Sequence, residues 1–119
     1  MKNLLPDAAT FRLTGRVWVE GATERFLGIG RLELLEHIQA TGSISKAAVA
    51  MGMSYKRAWD LVQSMNAQAA RPLVATQTGG KSGGGTVVTP EGAQALAEFR
   101  GIQARFQEFL VEETRRLRE

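Results

Sequence analysis

The side chains with the widest chemical reach in this 119-residue chain gather between Ser43 and Gln63. Lys56 can offer its ammonium to guanine acceptors or to phosphate, Gln63 can pair with adenine, and Tyr55 can meet a phosphate or a thymine methyl. Ser43, Ser45, Lys46, Ser54 and Arg57 are hydroxyl or cationic donors of the kind that hold a phosphate backbone. Asp60 is unfavourable beside phosphate unless it orients Lys56 or Arg57, or accepts from the amino group of cytosine. Trp59 has two readings, base contact or a large ring tucked against the preceding helix. A second group, Gly80, Lys81 and Ser82, lies in a glycine-rich stretch that brings backbone N–H groups and an ammonium near a phosphate or a minor groove.

Other chemistries are excluded by composition. The chain has no cysteine, so disulfides, cysteine zinc sites and a cysteine nucleophile are out. His37 is the single histidine, four residues after Glu33 on an outer helical face, which reads as a surface residue without a catalytic role. No metal site, no cofactor and no enzymatic activity are expected. Fifteen Lys and Arg stand against twelve Asp and Glu, a net charge of +3. The bias is local: residues 43–89 hold Lys46, Lys56, Arg57, Arg71 and Lys81 against Asp60 alone, while the flanking stretches nearly balance. A basic segment that coincides with candidate base-reading residues is the electrostatic footprint of a nucleic-acid binder. No apolar run approaches the ~20 residues of a membrane span. The N-terminus lacks a signal-peptide core, so a cytoplasmic protein is expected.

The elements that must position these residues can be read from periodicity and caps. Residues 1–9 read as a flexible arm. Phe11 to Glu20 alternates, with Phe11, Leu13, Val17 and Val19 on one face, which predicts a half-buried strand. Residues 24–27 are its returning partner across Gly21-Ala22. A helix is expected from about Ile29 to Ala40, with Leu32, Leu34, Leu35 and Ile38 inward, Arg31, Glu33, Glu36 and His37 outward, and Gly42 as its terminator. A short helix from Ser45 to about Met51 has Ser43 or Ser45 as its cap, and Ser54 caps the next, running to about Asn66. Between them Gly52 allows the positive φ of a tight turn. Ala47 and Ala48 let the two backbones approach, and Met51, Met53, Ala58, Leu61 and Val62 lock the pair. Two ordinary core helices would not need all these conditions together; a helix-turn-helix does.

Leu73 to Gln77 and Thr86 to Val88 are short strands around the glycine-rich stretch, so this segment is expected to be a wing. The rival is a nucleotide-binding loop, since residues 75–82 fit a relaxed P-loop pattern. That motif requires a helix directly after Lys-Ser, whereas Gly83-Gly84-Gly85 and a β-branched run come next. Thr89-Pro90 starts a final helix towards Arg118, about 45 Å long at 1.5 Å per residue. Its stripe of Leu96, Phe99, Ile102, Phe106, Phe109 and Leu110 exceeds what so small a domain can cover, so the expected role is homodimerisation, the alternative being simple packing over its own core.

Several runs together resemble a known family. They are Gly42-Ser43-Ile44-Ser45-Lys46-Ala47-Ala48, Met51-Gly52-Met53-Ser54-Tyr55-Lys56, Ala58-Trp59-Asp60 and Met65-Asn66, then Pro72-Leu73-Val74, Gly79-Gly80-Lys81, Gly83-Gly84-Gly85 and Thr89-Pro90-Glu91-Gly92. The stretch from about 28 to 100 is similar to the N-terminal DNA-binding domain of the ModE family of molybdate-responsive transcriptional regulators, and more loosely to LysR-type regulators. The resemblance implies a homodimer on pseudo-palindromic operators near molybdate-uptake or molybdoenzyme genes. The family's molybdate-binding domains have no room after Glu119, so a stand-alone form is expected, with any signal brought by a separate molybdate-sensing partner or absent. The fold expected is mainly α with a small β component: a flexible arm (1–9), a winged helix-turn-helix with an N-terminal β-hairpin (10–89) and a long dimerisation helix (90–119). The function expected is a sequence-specific DNA-binding regulator. The alternatives are a nucleotide-binding protein using the Lys81 loop, and a protein-interaction adaptor on a helix-turn-helix scaffold.

Overall fold

A computed structural model describes residues 1–77 and 85–119. Two compact units make up the chain, one of Trp18–Phe99 and one of Met1–Val17 with Arg100–Glu119. The larger unit opens with strands β1 (Val19–Glu20) and β2 (Arg25–Leu27), an antiparallel pair with an irregular register. Helices α1 (Ile29–Thr41), α2 (Ile44–Ala50) and α3 (Tyr55–Gln68) come next, then strands β3 (Val74–Gln77) and β4 (Gly85–Val88), then helix α4 (Pro90–Arg116). Strands β3 and β4 pair antiparallel from Val74↔Val88 to Gln77↔Gly85. The architecture is mainly α, with two small hairpins and a long last helix, as a winged helix-turn-helix requires.

Local signals in the sequence explain where these helices start and stop. Gly42 and Gly52 adopt φ of +68° and +66°, the left-handed region where a side chain is strained. Gly42 closes α1 by donating to the Ile38 carbonyl at 2.7 Å. The Ser43 hydroxyl accepts from the Lys46 N–H at 3.1 Å and the Ser54 hydroxyl from the Arg57 N–H at 3.0 Å, each satisfying an otherwise orphaned donor. Thr89 does the same for Gly92 at 3.0 Å.

The core is built on α1, where Leu32, Leu34, Leu35 and Ile38 expose no surface at all. Helix α1 packs against α2, β2 and β4. Ile44, Ala47 and Ala48 come in from α2, Ala58, Val62 and Met65 from α3, and Leu73 and Val74 from the entry to β3. Leu96 and Phe99 complete it from the first turns of α4. A Cβ at Gly92 would overlap the Leu73 carbonyl, so the start of α4 runs in close contact with that chain.

Two expectations need correction here. Of the long strand expected over residues 11–20, only Val19–Glu20 is a strand. β2 is three residues long and offers nothing further to pair with, and the Leu13 N–H donates instead to Thr114 Oγ1 at 2.9 Å. The alternation survives as burial, since Leu13, Val17 and Val19 are half-buried while Phe11 is 44% exposed. Arg31 does not point outward. Its side chain is 13% exposed, and it donates to Ser64 Oγ at 2.8 Å and to the Phe26 carbonyl at 3.5 Å.

In the smaller unit Lys2–Leu4 forms one 3-10 turn, and the Arg118 guanidinium donates to the carbonyls of Pro6 and Ala9. Leu110 is buried, and the rings of Phe106 and Phe109 stack at 6.2 Å.

Phe99, the largest fully buried side chain, tests the placement of the core. Phe99→Ala is expected to lower unfolding free energy by about 3–5 kcal/mol through lost transfer and cavity formation, read as the shift in urea midpoint. An unchanged midpoint contradicts this packing.

Candidate nucleic-acid interface

Helix α3 turns 100° per residue, which sorts its side chains into sectors. Ala58, Val62 and Met65 share the buried sector. Lys56, Asp60 and Gln63 lie opposite and are exposed. Tyr55 and Trp59, 54% and 44% exposed, sit at one shoulder of that arc, and Arg57 at the other. The base-reading residues expected from sequence therefore share one outward face. Ser45 and Lys46 on α2 are exposed, and Ser43 is half-buried because its hydroxyl is engaged as the α2 cap. Ser54 likewise holds the α3 cap.

Lys56 Nζ lies 3.1 Å from Asp60 Oδ2, an i,i+4 pair whose side chains are 83% and 49% exposed. Such exposed helix pairs contribute only about 0.3–0.5 kcal/mol, so the ammonium leaves the carboxylate at little cost when a better acceptor arrives. Trp59 is neither fully tucked away nor free. It borders a groove of about 560 Å3 together with Ser43, Tyr55, Gln63, Asn66 and Thr86, which runs between the start of α2, the face of α3 and the β3–β4 hairpin.

Asn66 is a residue whose role sequence reasoning missed. Its Nδ2 donates to the Val74 carbonyl at 2.9 Å, while its Oδ1 accepts from the N–H groups of Leu73 and Val74 at 2.8 and 3.2 Å. One side chain thus ties the end of α3 to the first residues of β3. The only sequence signal for it was a polar amide on the shoulder of α3 that also carries Tyr55 and Trp59. On the other flank, Ser64 and Gln68 bind Glu24 and the Arg25 carbonyl, tying α3 to the β1–β2 hairpin.

Gly80, Lys81 and Ser82 lie outside the described residues, as does the nucleotide-binding reading they carried. After that segment the chain enters strand β4 at Gly85, where a P-loop needs a helix. Of the side chains expected at a subunit contact, Leu96, Phe99 and Leu110 are buried within the single chain, Ile102 and Phe106 are half-buried, and Phe109 is 54% exposed. The chain's own core takes the first two because helix α4 begins directly over it.

Comparison with known proteins agrees with this geometry. Residues 29–93 match the family described as bacterial regulatory helix-turn-helix protein, lysR family. The chain is similar to the molybdenum-pterin-binding protein MopB of Rhodobacter capsulatus, 50% identical over 78 residues, covering 66% of this chain and 29% of the relative. It is similar to the molybdenum transport protein ModE of Azotobacter vinelandii, 42% identical over 89 residues, covering 75% and 33%. It is also similar to the DNA-binding transcriptional dual regulator ModE of Escherichia coli strain K12, 45% identical over 78 residues, covering 66% and 29%. The chain spans about a third of the length of these curated relatives.

Replacing Asn66 by Ala removes three hydrogen bonds and leaves two N–H groups and a carbonyl near the core without their partner. A loss of about 1–3 kcal/mol is expected, together with faster amide hydrogen exchange at Leu73 and Val74. Wild-type exchange rates at those two amides contradict the assignment.

Proposed function

The chain belongs to the bacterial regulatory helix-turn-helix proteins of the lysR family, and from that premise we propose that it is a sequence-specific DNA-binding transcriptional regulator of the ModE type. The observation that carries this reading is the outward arc of α3. It offers Lys56 and Gln63 to bases, with Tyr55 beside them, on a helix whose first turn is capped and whose inward face is locked into the core. Ser54, Arg57 and Lys46 hold phosphates, and the α2–α3 pair enters the major groove as helix-turn-helix units do. The relatives' names, which speak of molybdenum transport and transcriptional regulation, favour operators near molybdate-uptake or molybdoenzyme genes. We place the protein in the cytoplasm with the chromosome. It is a binder and not an enzyme; a strand after the Lys81 segment disfavours the nucleotide-binding alternative.

We also propose that the protein works as a homodimer through α4. Ile102 and Phe106 are half-buried and Phe109 is 54% exposed on one face of α4, and a second copy would cover that face. Two recognition helices related by a twofold axis would then address half-sites about one helical turn apart.

Selection from random duplexes is expected to enrich a twofold-symmetric motif, and footprinting with and without molybdate reads any effector response. No enrichment over input overturns the reading. Lys56→Ala is expected to weaken the selected site by about 1–3 kcal/mol and to relax preference at one base position; an equal loss on random DNA reassigns Lys56 to phosphate. Phe109→Ser is expected to shift sedimentation from dimer to monomer with the helical circular dichroism retained, and with a thermal midpoint that no longer rises with protein concentration. A variant that stays dimeric removes Phe109 from the interface.

A further inference from the structure

The shoulder of α3 that carries Arg57 faces away from the β3–β4 side. There a second cleft, of about 340 Å3, is lined by Arg25, Arg31 and Arg57 over Gly28, Gly30 and Leu61. Among the described residues no carboxylate lines it. Glu24, next in sequence to Arg25, is engaged by Ser64 and Arg31. Glu24 and Asp60 border Arg31 and Arg57 from a neighbouring cleft. Three guanidinium groups against them still leave an excess of positive charge that an anion would relieve, and the crowding is visible at Arg31. Burial pulls its guanidinium below the ordinary arginine value; Glu24 opposes this, while the charges of Arg25 and Arg57 act in the same direction as burial.

The three cations differ in freedom. Arg31 is anchored by Ser64 and the Phe26 carbonyl, while Arg25 and Arg57 are exposed. Arg25 is steered by stacking on the Trp18 ring, 4.2 Å from its centroid. Gly28 makes room for that arrangement, since a Cβ there would lie 3.2 Å from Arg25 Cδ and 3.4 Å from Trp18 Cβ.

A helix seated in the major groove, about 12 Å wide, has a sugar-phosphate strand on each side. The base-reading arc of α3 has the groove bordered by β3 and β4 at one shoulder and the arginine cleft at the other. We propose that the cleft formed by Arg25, Arg31 and Arg57 receives a backbone phosphate of the DNA strand that passes on this second side. The β1–β2 hairpin then acts as a counterpart to the wing, and Arg25 joins the interface although it lies outside the helix-turn-helix. This inference rests on the DNA-binding reading above and extends its footprint.

The test uses the full chain and fluorescence-labelled duplexes, one carrying the selected site and one random, titrated with salt. Arg25→Gln is expected to weaken both duplexes alike, by about five- to tenfold, and to reduce the slope of log affinity against log salt by about 0.9, the value for one phosphate contact. Arg25→Lys is expected to keep the slope. Gly28→Ala keeps every charge and crowds Arg25 Cδ, so a smaller loss on both duplexes is expected. Gly28 is also the N-cap of α1, so binding is compared well below this variant's lowered thermal midpoint. If Arg25→Gln binds both duplexes like the wild type while Lys56→Ala weakens the selected site, the inference fails and the DNA-binding reading stands. If the wild type binds no duplex at low salt, the reading itself fails. A loss confined to the selected site makes Arg25 a base contact and overturns the phosphate assignment. Equal losses for Gln and Lys with a lowered midpoint make Arg25 a purely structural residue and overturn it too.

Discussion

Helix α1 imposes the constraint on which the larger unit depends. Four of its thirteen residues expose no surface, and two of those, Leu34 and Leu35, are adjacent. Neighbours on a helix point 100° apart, so a single flat contact cannot cover both. The helix has to be wrapped, and α2, β2 and β4 do the wrapping. Each contributes too little apolar surface to stand alone. Helix α2, with seven residues, is far below the length at which an isolated helix is stable in water. Its direction, and so the approach of α3, is therefore set by where Ile44, Ala47 and Ala48 meet this central post.

Polar side chains then refine what burial only roughly places. Helix α3 is tied at its far end to β3 through Asn66 and along its flank to the first hairpin through Ser64 and Gln68. The two attachments lie on opposite sides of the helix. They leave between them the one sector that carries Lys56, Asp60 and Gln63. A surface held from both sides would lose little freedom on docking, which is how preorganised interfaces keep affinity.

How much of this was legible in the sequence depends on the range of each interaction. Ser43, Ser54 and Thr89 act on amides three residues away, and Gly42 and Gly52 act on their own backbone, so the helix boundaries could be read from neighbours alone. The outward arc of α3 was legible for the same reason, being set by helical spacing. The strand expected over residues 11–20 was misjudged because alternation shows that one face is covered without naming the cover. Arg31 was misplaced because its acceptors, Ser64 and the Phe26 carbonyl, come from other elements. Asn66 and Leu73 are seven residues apart with a chain reversal between them, and nothing local announces that contact. The stripe on α4 was read correctly as apolar, but periodicity cannot divide it between a chain's own core and a second copy.

The Lys56–Asp60 pair bears on discrimination between sites. Alone, the helix carries its own counter-ion, and the pair shows the surroundings almost no net charge. If the ammonium turned to a base edge as proposed, a bare carboxylate would be left close to a polyanion. A correct sequence can quiet it with a donor such as the cytosine amino group, whereas a wrong one leaves the repulsion standing. On the proposed DNA-binding reading the aspartate would work as a built-in penalty on mismatched ladders, separating good sites from poor ones by what the poor ones fail to neutralise.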